Sequence, residues 1–209
     1  MTTRTAARQP TRGVSTREQV VSHAAALIRE RGFRATSIGD LLERAGIQKG
    51  SFYHHFRSKE DLGHAVIDRW LAEQKERMLD YLGATDGPPP LERVAAVLDG
   101  FVAEQDANGC RGGCAFGNLA LELSDVHEGF RVRIREAFAL FRRAFAGLLE
   151  RARANGDVRA DLDVRAMADL LVASIEGGIL LAKAEKSTVP LANALRMAEE
   201  HLASYRTRR

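Results

Sequence analysis

The segment from Thr36 to Leu62 constrains the fold more than any other part of the 209-residue chain, because it reads as two short helices joined by a tight turn. Ser37 and Asp40 have the spacing of a capping box at the start of the first helix, and Gly46 stands where a left-handed residue would end it. A second helix, roughly Lys49 to Phe56, follows almost at once. Ser58 begins another helix, with Asp61 in the capping-box position. The apolar stripe of a preceding helix, ending near Gly32, supplies the third element of a small three-helix unit.

The second short helix carries an unusual set of side chains. Phe52 and Phe56 lie four residues apart and are expected to face inward. The rest of its surface is polar, aromatic and basic: Lys49, Ser51, Tyr53, His54 and His55. Such groups hydrogen-bond to phosphate oxygens and base edges, and a helix fits the major groove. The segment therefore predicts a DNA-binding surface, the alternative being an αα-hairpin on the surface of some other helical protein.

The same residues resemble the helix-turn-helix of the tetracycline-repressor (TetR) family. The family pattern ends in a run G-S-x-Y-x-H-F-x-S-K-E-x-L, which this chain matches nearly position for position, and the likeness extends from Val20 through Trp70. It implies a homodimeric transcriptional regulator, usually a repressor, that leaves its operator when a small molecule binds the larger domain. By motif position, Lys49, Ser51 and His54 with Gln48 are candidates for base edges, Tyr53, His55, Lys59 and Ser37 for phosphates, and Gly50 for close approach to the groove wall.

The charge distribution agrees with that expectation. Residues 1–60 hold eleven Lys and Arg against five Asp and Glu, whereas the remainder holds twenty against twenty-three. A basic N-terminal part attached to a slightly acidic remainder is typical of a nucleic-acid-binding module with a partner domain. Arg4, Arg8, Arg12 and Arg17 stand in a tail that either lies along DNA or is a mobile, solvated terminus.

Helical periodicity runs through the rest of the chain and no segment alternates like a strand, so we predict an all-α fold of about nine helices. Residues 1–16 are expected to form the basic tail, 17–58 the helix-turn-helix domain, and 59–209 a helical ligand-binding and dimerisation domain. A fourth helix to about Leu82 links the two domains, and a proline-rich loop from Gly83 to Pro90 follows it. Later helices are predicted at roughly 91–106, 114–124, 128–155, 163–185 and 190–205.

The helix from Asp163 to Glu185 is apolar on more than one face and must be covered twice, and Gly177 and Gly178 permit close contact with another helix. We therefore predict a homodimer through the last two helices; a central helix of a monomeric bundle is the alternative. The longest apolar run, Leu170 to Ala182, is too short and too interrupted to cross a bilayer, and 28% of the residues are charged, so we expect a cytoplasmic protein without a membrane partner. Candidates for the wall of an effector pocket are Trp70, Phe101, Cys114, Asn118, Phe141 and Glu176.

The segment from Asn108 to Asp125 contains both cysteines. Cys114 follows two glycines at the expected start of a helix, and the helix dipole and Arg111 would both favour its thiolate. The run G-C-x-x-G-N-L-A-L-E resembles a TetR subgroup that includes regulators sensing acrylate or reactive electrophiles and quinones. An electrophile or oxidant sensed through Cys114, with Cys110 as a resolving thiol, is the resulting hypothesis; the alternative is a helix-start residue and an exposed loop thiol. Without further Cys or His ligands we expect no metal site and no cofactor.

Two other functions remain possible from the sequence. A thiol-dependent enzyme would use Cys114 as nucleophile, with His127 as the candidate base if folding brings it close. An architectural DNA-binding protein without a ligand would need a solid C-terminal core. We predict a regulator that is not an enzyme.

Overall fold

A computed structural model describes residues 15–83 and 87–207, except for the side chains of 79–83. The described residues form nine helices: α1 (Thr16–Arg31), α2 (Ile38–Ala45), α3 (Lys49–His55), α4 (Lys59–Gly83), α5 (Pro90–Ala107), α6 (Ala115–Leu123), α7 (Glu128–Ala154), α8 (Val164–Glu185) and α9 (Val189–Ala203). The predicted all-α class is confirmed. Within these ranges the only extended pairing is an isolated antiparallel bridge between Val158 and Arg206.

The first helix begins earlier than the sequence indicated. Ser15 caps α1, and its hydroxyl and the Glu18 carboxylate form a reciprocal capping box. Arg17, which we expected in the tail, therefore lies in the first turn of α1, and its guanidinium carbon is 5.1 Å from the centroid of the Phe56 ring. The other tail arginines, and most of the predicted tail, lie outside the described residues.

The start of α2 and the turn between α2 and α3 form as predicted. The Ser37 hydroxyl accepts a hydrogen bond from the Asp40 amide at 3.0 Å, while the Asp40 carboxylate accepts one from the Ser37 amide at 2.9 Å. Gly46 ends α2 with a left-handed φ of 62°. Phe52 and Phe56 are almost completely buried against α1, α2 and α4. The orientation of α3 is therefore fixed by its own apolar face.

The start of α4 corrects half of a second prediction. Ser58 Oγ accepts a hydrogen bond from the Asp61 amide at 3.2 Å, as a cap should. The Asp61 carboxylate, however, accepts from the Arg57 amide at 3.0 Å instead of from Ser58. Arg57 lies just before the helix, where its N–H has no intrahelical acceptor, so the carboxylate satisfies that donor instead.

The core of the N-terminal helices continues into the C-terminal part. Buried residues of α1–α4 form one apolar cluster with residues of α6 and the first half of α7. The rings of Phe33 and Phe130 lie 4.9 Å apart between centroids, and a Cβ on Gly63 would come within 2.7 Å of both. Only a glycine lets α4 approach this closely. The two parts of the chain therefore share a packed interface, so a displacement of one part alters the packing of the other.

A second apolar cluster joins α5, the C-terminal half of α7, α8 and α9. The α8–α9 contact is tightest at Gly178, where an added Cβ would lie 2.6 Å from Leu191 Cδ1 and 2.9 Å from Leu191 Cα. The backbone of α9 cannot move away without repacking the cluster. The glycine was predicted to permit close helix contact, and at this position it does.

Gly178→Ala is expected to destabilise the protein by about 1–3 kcal/mol, because the new methyl group overpacks the α8–α9 contact. Gly147→Ala is the matched control, since a Cβ at Gly147 in α7 meets no atom within 4 Å. Better helix propensity should make that control equal to or more stable than wild type, by up to about 1 kcal/mol. Urea unfolding followed by circular dichroism measures both, and equal stability of the two variants would contradict the packing described.

Candidate functional site

The outer face of α3 is exposed, as a DNA-reading helix requires. Gln48, Lys49, Gly50, Tyr53 and His54 are exposed, while Ser51 and His55 are partly buried. Tyr53 keeps 47% of its surface accessible although its ring packs edge-on against Phe52 at 5.2 Å. A Cβ on Gly50 would meet nothing within 4 Å. The internal packing of the protein therefore does not require a glycine there.

Two of the predicted phosphate ligands have partners within the protein. The Ser37 hydroxyl donates to the Asp40 carboxylate at 2.7 Å in the capping box. Lys59 Nζ donates to the Arg34 carbonyl oxygen at 3.2 Å and lies 4.6 Å from the centroid of the Phe33 ring. Burial lowers the pKa of the Lys59 ammonium group below its usual value. Both side chains stabilise the turn between α1 and α2, and their contact with DNA stays a prediction.

A cavity of about 310 Å³ lies between α4, α5, α6 and α7. Trp70, Phe101, Cys114 and Phe141, four of the predicted pocket residues, are brought together in its wall. The Trp70 and Phe141 rings both lie edge-on to Phe116, at centroid distances of 6.1 and 6.3 Å. The volume is at the lower end of the range for small-molecule sites, and aromatic walls are typical of them.

A second cavity of about 250 Å³ lies between α6, α7 and α8, and the two are called the larger and the smaller cavity by comparison with each other alone. The other two predicted pocket residues, Asn118 and Glu176, line it together with Cys114. Asn118 is held on both sides, since its Nδ2 donates to the Gly112 oxygen at 2.5 Å and its Oδ1 accepts from Lys183 Nζ at 3.1 Å. Cys114 contributes to both cavities and therefore lies where they meet.

The expected thiolate at Cys114 is wrong. Cys114 caps α6, and its Sγ accepts a hydrogen bond from the Gly117 amide at 3.4 Å. Burial and the neighbouring Glu176 carboxylate nevertheless raise the pKa of the Cys114 thiol to about 12. Burial also raises the pKa of Glu176. Arg111, which was expected to favour the thiolate, is exposed, so desolvation outweighs the favourable helix start.

Cys110 is not the exposed loop thiol that the sequence suggested. It has a positive φ of 52°, is only 3% exposed and packs in the second apolar cluster. Both cysteines are free. His127, considered as a base for Cys114, caps α7 and stacks edge-on against His64 and Phe130. The acid–base group that contacts Cys114 is Glu176.

Glu122 in α6 connects the two parts of the chain. Its carboxylate accepts hydrogen bonds from the amides of Phe33 at 2.9 Å and Arg34 at 2.5 Å, in the turn between α1 and α2. A Cβ on Gly32 would lie 3.1 Å from the same carboxylate. The sequence does not predict this contact, because the acceptor and its backbone donors are almost ninety residues apart.

Arg29 is a second connecting residue that the sequence did not reveal. It belongs to the last turn of α1, yet its side chain lines the larger cavity, with the guanidinium carbon 5.8 Å from the centroid of the Trp70 ring. The N-terminal helical unit thus contributes directly to the cavity wall.

No cluster of three or more His, Cys, Asp or Glu side chains among the described residues is arranged to hold a metal ion. Among those residues, too, no helix has the length and apolar character needed to span a membrane.

An exposed α3 on a helix-turn-helix unit, sharing its core with helices that enclose cavities, defines the class of ligand-responsive, DNA-binding transcriptional regulators. Residues 20–66 match the family model for bacterial regulatory proteins of the tetR family, and residues 90–198 match that for the tetracyclin repressor-like C-terminal domain. The chain belongs to the TetR family.

Similar proteins support this assignment over about nine-tenths of the chain. The repressor DhaR of Mycobacterium sp. (strain GP1) is 28% identical over 89% of this chain and 91% of its own length. The repressor NemR of Escherichia coli (strain K12) is 31% identical over 90% of this chain and 94% of its own length. The crystal structure of reduced E. coli NemR covers 88% of this chain and 95% of its own, with a TM-score of 0.81 and 30% identity. DhaR and NemR are transcriptional repressors.

Proposed function

We propose that this protein is a homodimeric repressor that leaves a palindromic operator when a small molecule enters the cavity between α4 and α7. The observation that carries the proposal is the position of α6. Ala115 and Phe116 at its start line the larger cavity, and Glu122 near its end holds the turn before α2 through two hydrogen bonds. A ligand that displaces the start of α6 therefore acts on the orientation of the DNA-reading helix.

Exposed apolar residues support a dimer through α8 and α9. Large apolar side chains on these helices remain accessible in the single chain: Leu170, Leu180, Leu181, Val189 and Met197. A second copy that covers them would give the two reading helices needed for a palindromic site. Leu121 on α6, 76% exposed, and Leu180 both line the smaller cavity, so the same partner would cover its mouth. Access to the operator implies a cytoplasmic location in this proposal.

Base contacts in this proposal come from Lys49, Ser51 and His54 with Gln48, and phosphate contacts from Tyr53, His55, Lys59 and Ser37. The exposure of Lys49, Tyr53 and His54 supports these roles. Gly50 is assigned to the closest approach of α3 to the groove wall, because its open surroundings leave that space to DNA.

Lys49→Ala should weaken operator binding by about tenfold or more, because a good base contact contributes about 1–3 kcal/mol. Lys75→Ala is the matched control: it removes the same charge from an exposed position on α4 and should change affinity less than twofold. The measurement is fluorescence anisotropy of duplexes taken from the DNA that flanks the protein's own coding region. Equal losses in both variants, or no duplex that is bound above nonspecific competitor, would contradict the proposed surface.

We also propose that an electrophile held in the cavities reacts with Cys114. The thiol would add to an activated alkene: the S–C bond forms, the alkene π pair moves to the adjacent carbon, and the S–H proton passes to the Glu176 carboxylate, which returns it to that carbon. The Cys114–Glu176 contact supports this step, and the raised pKa of Glu176 makes its carboxylate a stronger base. The similarity to NemR, solved in a reduced form, is consistent with a redox-sensitive site. An oxidant is the alternative stimulus, with Cys110 as resolving thiol after it leaves its buried position.

Cys114 should react slowly with iodoacetamide at pH 7 and faster as the pH rises, because a pKa of about 12 leaves on the order of one thiolate in 10⁵ at neutral pH. Glu176→Gln removes the carboxylate that takes up the thiol proton in the proposed step, and should therefore slow the reaction at pH 7. Glu185→Gln changes an exposed carboxylate of the same helix and is the control. Mass spectrometry of the Cys114 peptide gives the rates. Rapid alkylation of the wild type at pH 7 would contradict the protonated thiol, and a full DNA-release response of Cys114→Ser to electrophiles would contradict the sensing role.

Two other functions receive less support. An enzyme using Cys114 lacks the histidine base considered for it, since His127 contacts His64 and Phe130. An architectural protein without a ligand needs a solid C-terminal core, and two cavities of about 310 and 250 Å³ interrupt it.

A further inference from the structure

The side chain of Gln105 presents a hydrogen-bond acceptor that the protein leaves unused. Gln105 lies near the end of α5, is 3% exposed and lines the larger cavity. Among the backbone and side-chain groups that the structure describes, none donates a hydrogen bond to its Oε1. Its backbone oxygen accepts from the Cys110 amide at 2.8 Å, which holds this part of the chain in place. A buried amide oxygen without a donor is unfavourable, so an apolar residue would serve packing better.

The surroundings of Gln105 define what could satisfy it. Aromatic side chains form much of the cavity wall: Trp70, Phe101, Phe116, Phe141 and Phe145. Rings at edge-on angles, as between Phe116 and its neighbours, offer both faces and edges to a further ring. An aromatic ligand therefore suits the wall better than a flexible chain.

The charged side chains of the cavity select against an ionic ligand. Arg29 and Arg77 are matched in number by Glu73 and Glu104. Glu73 already pairs with Arg69 at 2.8 Å. Neither a cation nor an anion is favoured by this balance, whereas a neutral donor suits the buried amide oxygen.

We infer that the larger cavity binds a neutral aromatic molecule with a hydroxyl group, a phenol, whose O–H donates to Gln105 Oε1. This rests on the proposed function and gives the chemical class of a reversible effector, distinct from the electrophile that reacts with Cys114. Gln105 is the residue that determines specificity, because a ligand without the donor would leave the buried oxygen unpaired.

The protein contains a single tryptophan, and it lies in the cavity wall. Trp70 fluorescence, excited at the red edge where phenols absorb little, therefore reports binding without any DNA. The probes are para-tert-butylphenol, its methyl ether, which accepts but cannot donate, and tert-butylbenzene, which does neither. Wild type should bind the phenol about tenfold more tightly than either analogue.

Gln105→Leu should remove this preference, and Gln19→Leu, which makes the same change on α1 outside the cavity lining, should keep it. Equal binding of the phenol and its ether by wild type, or a preference that persists in Gln105→Leu, would overturn the inference. A lower unfolding midpoint for Gln105→Leu than for wild type would also overturn it, because the amide would then have a partner in the free protein. If the phenol binds as expected but operator DNA is not released, the proposed function fails and the assignment of Gln105 stands.

Discussion

Replacement of Glu122 by alanine is expected to free the turn between α1 and α2 from α6. The carboxylate accepts two amide hydrogen bonds there, and each bond to a charged group contributes about 1.5–3 kcal/mol. Hydrogen exchange of the Phe33 and Arg34 amides should become about 10²-fold faster, because the turn then opens without opposition from the carboxylate. Exchange followed by NMR measures this directly, and needs neither DNA nor a ligand.

The same variant should lose the coupling between cavity and DNA. Coupling free energies of about 1–3 kcal/mol change DNA affinity by roughly 5- to 150-fold, and we expect that factor to fall close to one in Glu122→Ala. The fluorescence anisotropy of labelled operator DNA is measured with and without a compound whose binding quenches Trp70 fluorescence. Glu128→Ala is the control, because Glu128 pairs with Arg131 within α7. Undiminished coupling in Glu122→Ala would show that the signal travels by another contact.

Gly50→Leu is expected to weaken DNA binding without lowering the stability of the folded protein. A Cβ at this position of α3 would meet no surrounding protein atom within 4 Å, and leucine is a better helix former than glycine. The folded protein should therefore be unchanged or more stable by up to about 1 kcal/mol. Operator affinity should fall by about 10²-fold or more, because the new side chain occupies the space assigned to the groove wall.

Thermal unfolding and operator anisotropy on the same samples test these opposite signs. Gly147→Ala, an exposed helical substitution in α7, should raise stability without changing DNA affinity. A Gly50→Leu protein that still binds its operator with wild-type affinity would remove α3 from the interface. A destabilised Gly50→Leu protein would contradict the open surroundings of this residue.

The two cysteines show how far local pattern reaches. The sequence predicted that Cys114 begins a helix, and it caps α6. The same reasoning predicted a thiolate, which is wrong, because the desolvation of Sγ and the approach of Glu176 depend on helices that pack from sixty residues away. A helix start is local information, whereas a pKa depends on the whole environment.

The pocket candidates illustrate the same division. Residue type and helical spacing predicted Trp70, Phe101 and Phe141 as pocket residues, and these three line one cavity. The same pattern did not predict that Asn118 and Glu176 line a different cavity. The sequence did not predict Arg29 or Gln105 as cavity residues. An arginine in the last turn of α1 and a glutamine in α5 are ordinary residues, and only folding brings them to a shared cavity.

The sequence by itself determined the elements whose causes are local: the caps at Ser37 and Ser58, the left-handed Gly46, the apolar spacing of Phe52 and Phe56, and thereby the exposed face of α3. Tertiary structure alone decided what couples that face to the cavities. The Glu122 carboxylate reaches the amides of Phe33 and Arg34 only because α6 packs against the turn after α1. Every residue except proline carries a backbone N–H donor, so the sequence does not show which of these donors a distant side chain will contact.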